Sequence, residues 1–276
     1  VVYILLSPLV PLDGRGATEA NERYAMIARS GTAVRDMFAE VPRTYELVNH
    51  LFTGGLDIVW RRRAASIASA AGGTAWLDVC TGTGEMAADL GERAGRDTLV
   101  VGVDFSMPMM RAGARRPRSE SVLFACAAAE SLPFSDGQFD LVTISFATRN
   151  IAASRESLLR ALREFHRVLA PGGRLVNLET SQPRSRIART LFHWYARSVV
   201  RAVGEMISGS RAAYSYLSGS LLRFYGTSEL AALMREAGFP RVRYRPMTGG
   251  IVAVHEAMKE PLEAPRIAEA SGVGVR

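Results

Sequence analysis

The sequence predicts an α/β fold: a mostly parallel sheet with helices on both faces. Three observations carry that prediction. Short apolar runs alternate with helical patterns from Thr74 onward. The runs are rich in Val, Ile and Leu with little polar alternation, as strands covered on both faces must be. One run passes straight into a glycine loop that opens a helix, WLDVCTGTGEM, Trp76 to Met86. Alternation of this kind builds βαβ units.

The elements follow in order. TAWLDV is the first strand and EMAADLGERAG the helix after the loop. LVVGVD (Leu99 to Asp104), SVLFACA (Ser121 to Ala127), FDLVTISF (Phe139 to Phe146) and GRLVNLET (Gly173 to Thr180) are the next four strands. SRESLLRALREFHRVL is a helix with Ser154 as its N-cap and Pro171-Gly172-Gly173 as its stop. TSELAALMREAGF is another, capped by Thr227 and ended at Gly238. RVRYRPM and GIVAVHEA close the sheet around Thr248-Gly249-Gly250. Upstream of Thr74, TAVRDMFAEV, YELVNHLFTGG and IVWRRRAASIASAA read as helices. There is no repeat and no low-complexity linker. We expect one domain over 32–259 with a helical insertion at 184–224, an extension at 1–31 and a tail at 260–276.

Composition narrows the function. The 276 residues are 48% hydrophobic, enough for a sizeable core and unlike a disordered chain. The net charge is +7, and Lys259 is the one lysine among 34 basic residues. The arginines are scattered, so no nucleic-acid partner is expected; a weak attraction to anionic membranes is. Cys80 and Cys126 form no CxxC and read as reduced thiols of a cytoplasmic protein. The four histidines show no HxxxH or HExxH spacing, so no metal site is expected. The apolar start, VVYILLSPLVPL, is shorter than the ~20 residues of a membrane span and lacks a basic leader. Met26 is a candidate start, which intact mass of the native product tests.

The glycine loop admits two ligand classes. Gly82, Gly84 and Ala87 match the spacing of a dinucleotide loop, and Asp104 ends the second strand where a ribose-binding acid stands. Asp78 separates the two. It stands four residues before Gly82, where a pyrophosphate would be repelled and a cationic ligand tolerated; Glu85 adds a second negative charge. A ligand with an ammonium and a sulfonium, S-adenosylmethionine, fits better than NAD. Asp78 also suits a second role, organising the loop through backbone N–H groups, and Asp104 suits that of a helix N-terminal acid. Met107, Met109 and Met110 read as core and pocket wall.

Three blocks then resemble the ubiquinone/menaquinone biosynthesis C-methyltransferases: YELVNHLFTGGLDIVWRR (Tyr45 to Arg62), SLPFSDGQFDLVTISFATRN (Ser131 to Asn150) and RVLAPGGRLVNLETSQP (Arg167 to Pro183). TGGIVAVHEAMK, Thr248 to Lys259, also fits. LETSQP is more similar to the demethylmenaquinone members. The resemblance implies a class I, Rossmann-like methyltransferase fold with seven strands, the last antiparallel. It implies S-adenosylmethionine as cofactor, with Thr83 in the loop, Asp104 at the ribose, Ala128 and Ala129 flanking the adenine, and Ser145 near the cofactor. It places Arg149 and Asn150 at the quinol, with Arg149 stabilising the anion formed as the ring hydroxyl ionises. Tyr45, Tyr214 and Tyr216 are weaker substrate-side candidates, His50 a further one, and His255 reads as structural. Three departures stand out. The family usually has Asn or Asp where Ala128 stands. Its signature histidine is Asp57 here, expected to pack or cap a helix with little consequence. Its lysine before Pro-Gly-Gly is Ala170.

The substrate so implied is a polyprenyl quinol, demethylmenaquinol first. The insertion's apolar, arginine-studded face would cover the isoprenoid tail, touch the membrane surface, or join two copies as a homodimer. Another phenolic acceptor, a non-catalytic cofactor-binding accessory role and an NAD oxidoreductase are the competing readings.

Overall fold

A computed structural model describes residues 49–200 and 211–261. Seven strands form one sheet in the order β3-β2-β1-β4-β5-β7-β6. They are β1 Ala75–Val79, β2 Leu99–Asp104, β3 Val122–Cys126, β4 Phe139–Ser145, β5 Leu169–Thr180, β6 Arg241–Met247 and β7 Val252–Met258. β7 lies antiparallel between β5 and β6, and the pairings among β1 to β5 are parallel. This is the seven-stranded arrangement expected from the sequence.

The apolar runs are unbroken because both faces are covered. Leu77, Val101, Val142 and Leu175 point into one core, and their neighbours Trp76, Val100, Leu141 and Val176 into the other. The helices supply the covers: α1 Leu56–Ser69, α2 Glu85–Gly91, α3 Met107–Gly113, α4 Thr148–Ile151, α5 Arg155–Val168, α6 Arg186–Tyr195, α7 Arg211–Arg223 and α8 Thr227–Glu236. A π-helical turn, Ala196–Val200, follows α6. In α5 the residues Leu158, Leu159, Leu162 and Phe165 recur at helical spacing and are buried, while Arg155, Arg160 and Arg163 face out. Truncating Phe165 to Ala would cost about 3–5 kcal/mol. The edge strand β6 carries Arg241, Arg243, Arg245 and Pro246, which blunt its pairing capacity.

Two local expectations need correction. The stop of α5 is Val168, and β5 starts at once, so Pro171-Gly172-Gly173 lies within an irregular first part of the strand. Gly226 rather than Thr227 occupies the N-cap of α8, where Glu229 reaches back to its backbone N–H at 2.7 Å. Thr227 is already helical, and its carbonyl accepts from His255 at 2.9 Å, which makes that histidine structural as expected. Ser154 caps α5 as read from the sequence. TAVRDMFAEV and Tyr45 lie outside the described residues, as do 1–31 and most of the tail.

The chain runs outward from β1 through β2 to β3, then returns to β4 on the other side. The order therefore reverses between β1 and β4, and ligands bind beyond the carboxyl ends of such strands. The glycine loop leaves β1 there, and Ser145 ends β4 beside it.

Candidate active site

The loop after β1 needs its glycines. Cys80, Gly82 and Gly84 all have left-handed backbones, with φ of 54°, 55° and 76°. A Cβ on Gly84 would come within 3.3 Å of Gly113 Cα and of the Phe124 ring, so this glycine seats the loop against α3. Gly113 is its counterpart, since a Cβ there would stand 3.1 Å from the Thr83 carbonyl carbon. Gly82 differs: the nearest atom to its Cβ position is the flexible Met109 tip at 3.7 Å. That leaves one face of the loop open to close approach by a ligand. Thr83 is buried and its carbonyl accepts from Arg116 Nε at 2.9 Å.

Two acids stand at the tips of β1 and β2. Asp104 accepts the N–H of Gly82 at 2.9 Å and that of Ser106 at 2.8 Å. Burial raises its pKa to about 6, against the pull of those N–H bonds. Asp78 is 1% exposed, and its two oxygens accept from the hydroxyls of Thr81 and Thr143, each at 2.7 Å. Burial raises it to about 6 as well; the hydroxyls oppose the shift and the Asp104 charge adds to it. Asp78 thus organises the loop, through threonine hydroxyls rather than backbone N–H groups. These residues fit S-adenosylmethionine: an open glycine face, a carboxylate at the second strand tip, and two buried acids short of positive charge.

The adenine side is barer. Ala128 is half-buried and Ala129 buried, and the Ala128 carbonyl accepts from Ser131 N at 3.1 Å. A methyl group stands where the resemblance implies a polar side chain. Met109 and Met110 are core, as read.

On the β4 side, Ser145 is half-buried and Phe146 follows with φ 54°, an uncommon conformation for a bulky residue and one concentrated at functional sites. Its ring lies 6.2 Å from that of Trp60 and 5.4 Å from the Arg61 guanidinium carbon. Arg149 sits on α4, 8% exposed, with Asn150 half-buried beside it. Arg149 NH1 donates to Glu179 Oε1 at 2.7 Å, and its backbone N to Oε2 at 3.2 Å. The guanidinium is thus in a buried ion pair and also at the ligand-facing edge. Tyr214 and Tyr216 lie on α7 with side chains outside the described residues.

Sequence reasoning missed a second arginine. Arg61, 6% exposed, bonds Asp57 Oδ2 at 2.9 Å and Glu85 Oε2 at 2.9 Å. His50 Nδ1 lies 2.8 Å from the same Asp57 oxygen, and its Nε2 lies 3.7 Å from Glu85. Arg61 therefore ties α1 to the exit of the glycine loop, and Asp57, packed at the start of α1, orients it. Burial alone would raise its pKa; the Thr53 hydrogen bond and the charges of Arg61 and His50 hold it below the usual value. Ligand atoms of His50, Asp57 and Glu85 gather within 4.8 Å, a cluster that spacing did not reveal. Arg61 already neutralises both acids there. The Asp57–Arg61 spacing of four was the available signal.

The comparisons agree with this fold. Residues 25–259 match the model of the ubiE/COQ5 methyltransferase family. A relative named demethylmenaquinone methyltransferase from Thermus thermophilus is 43% identical over 221 residues, 79% of this chain and 98% of its own. One of the same name from Staphylococcus aureus is 37% identical over 228 residues, 82% and 93% of the two chains. Among solved structures, a SAM-dependent methyltransferase from Thermotoga maritima superposes with TM-score 0.54 at 20% identity, covering 80% of this chain and 98% of its own. Mitomycin 7-O-methyltransferase superposes with TM-score 0.60 at 19% identity, covering 81% and 60%; both show the fold. The chain belongs to the ubiE/COQ5 methyltransferase family and is an S-adenosylmethionine-dependent methyltransferase.

Proposed function

We propose that this methyltransferase acts on a ring carbon of a polyprenyl quinol, demethylmenaquinol before others. The observation that carries the reading is Arg149, a buried guanidinium at the carboxyl end of β4, across the sheet's switch point from the glycine loop. The relatives' names point to the same acceptor.

Bound S-adenosylmethionine supplies an electrophilic methyl group. The chain must hold the ring carbon about 3–3.5 Å from that methyl and in line with the bond that breaks. It must also favour the ionised hydroxyl, because the anion pushes electron density onto the adjacent carbon, which after methyl transfer gives up its own hydrogen as a proton to restore the aromatic ring. Arginine stays protonated in proteins and cannot take the proton. Its part is to stabilise the oxyanion and to orient a water that accepts the proton. Asn150 has a donor and an acceptor with which to fix the ring or that water. Gly82, Thr83, Gly84 and Asp104 would hold the cofactor, with Ala128, Ala129 and Ser145 as further contacts and Asp78 organising the loop.

The test uses labelled S-adenosylmethionine and reduced demethylmenaquinone in detergent. Wild type should give labelled menaquinone, and Arg149→Ala should lower kcat roughly 10²–10³-fold. Cofactor binding without a labelled quinone would point to another phenolic acceptor. Failure to bind cofactor would favour the accessory reading and indict Ala128.

A second observation supports work at a membrane surface. Ile187, Leu191 and Trp194, 75%, 62% and 60% exposed, form an apolar stripe on α6. Arg186, Arg189 and Arg197 flank it, and no acid occurs between Arg184 and Gly204. Leu51, Leu56, Ile58 and Val59 are exposed on and just before α1, and the Tyr195 hydroxyl donates to the Phe52 carbonyl, joining the two regions. Such a face suits anionic lipid. In a homodimer through this face, like charges would meet. Among the described residues no helix is long and apolar enough to cross a membrane. Arg186→Glu with Arg197→Glu should abolish sedimentation with phosphatidylglycerol vesicles; unchanged sedimentation would reject the surface.

A further inference from the structure

We infer that Glu179 is a positioning residue for methyl transfer, acting by holding Arg149 in register with the sheet edge; this rests on the quinol reading above. α4 spans only Thr148–Ile151, and its N-cap residue, Ala147, offers no side-chain cap. A helix of one turn does not hold itself together in water. β5 holds it instead. Asn177 and Glu179 stand two apart on β5, hence on one face of the sheet. Asn177 Oδ1 accepts from Thr148 Oγ1 at 2.7 Å. Glu179 takes the next helix residue at two points, the Arg149 backbone N–H and the guanidinium. One carboxylate therefore caps the helix and fixes the direction of its arginine.

Glu179 is itself fixed. It is 1% exposed, and its Oε1 also accepts from Thr180 N at 2.7 Å and Thr180 Oγ1 at 2.9 Å. With several donors already on it, the carboxylate is held in one orientation. Net stability is a poor explanation for the pair, because a buried ion pair is often no more stabilising than apolar residues of the same volume. Placement of a charge where an oxyanion develops is a better one.

The experiment is a double-mutant cycle on turnover. Glu179→Gln should lower kcat by about tenfold or more, with KM for S-adenosylmethionine within about twofold of wild type. Glu179→Asp should recover part of the loss. In the Arg149→Ala background, Glu179→Gln should change kcat less than about twofold, because its effect passes through the arginine. If Glu179→Gln does not fold, Thr180→Val, which removes one of the bonds that set the carboxylate, should lower kcat several-fold with Arg149 present and have no effect without it. Independent, multiplying losses, or a matching loss of cofactor affinity, would overturn the inference. Failure of the quinol reading would show differently, as a wild type that turns over no quinol. The cycle is then read on binding of the 2-hydroxy-1,4-naphthoquinone anion by difference absorption. Arg149→Ala and Glu179→Gln should each weaken that binding without adding, and additive losses would overturn it equally.

Discussion

The two halves of the sheet's carboxyl edge treat buried acid in opposite ways. At β1 and β2, Asp78 and Asp104 accept from hydroxyls and backbone N–H groups, and burial raises both to about 6. Around them, Glu179 and Asp57 are each bonded to a buried arginine. The first half is buried negative charge held by neutral donors; the second carries its own positive charge beside the acid. On the reading proposed above, the first would suit a cationic methyl donor and the second an acceptor that ionises.

Among changes that test this contrast, Asp104→Asn should have the largest effect. Loss of the carboxylate should weaken S-adenosylmethionine binding about 10–100-fold by calorimetry, as hydrogen bonds to a charged group are lost. Unchanged affinity would break the comparison.

Next is the pH dependence of the variant's stability. A carboxyl raised above its unfolded value contributes stability that is fully present below pH 3.8 and lost as pH rises through about 6. The stability of Asp104→Asn relative to wild type should therefore rise between pH 4 and pH 7 in urea titrations. Asp57 has the opposite sign, since its pKa is lowered. Its contribution is present above pH 3.8 and lost as pH falls through the lower folded value. Asp57→Asn should be less stable than wild type at pH 7, and the gap should narrow in acid. Parallel behaviour of the two variants would erase the distinction between an acid held by neutral donors and one held by arginine.

The smallest effect sharpens the cofactor half. Ala128→Asn supplies the side-chain acceptor that this chain lacks, and one added hydrogen bond is worth about 0.5–1.5 kcal/mol. Affinity for S-adenosylmethionine should rise several-fold with kcat unchanged.

The strands were legible because a buried parallel strand leaves an unmistakable run: LVVGVD reads directly as β2. The loop was legible because its backbone demands glycine at Gly82 and Gly84. Arg149 was found through its place at a strand end together with the resemblance. Glu179 was not singled out, although it stands in the quoted LETSQP, because its partner lies 30 residues away across the sheet. Arg61 was missed for the same reason, with Glu85 in another element. Chain-local signals find caps and turns; pairings set by strand register are invisible until the register is known. The shift of the α8 cap from Thr227 to Gly226 is the milder case, where two neighbouring residues both suit an N-cap and the contact of Glu229 decides.

Trp60 holds a further consequence. Its indole N–H donates to the Thr248 hydroxyl at 2.9 Å, across 188 residues. The residue next to it is Arg61, which grips the exit of the glycine loop. On a ribosome adding about 5–20 residues per second, the two partners emerge roughly ten to forty seconds apart. For that interval the indole has no partner, and the contact between α1 and the β6–β7 hairpin is among the last to close as the chain is made.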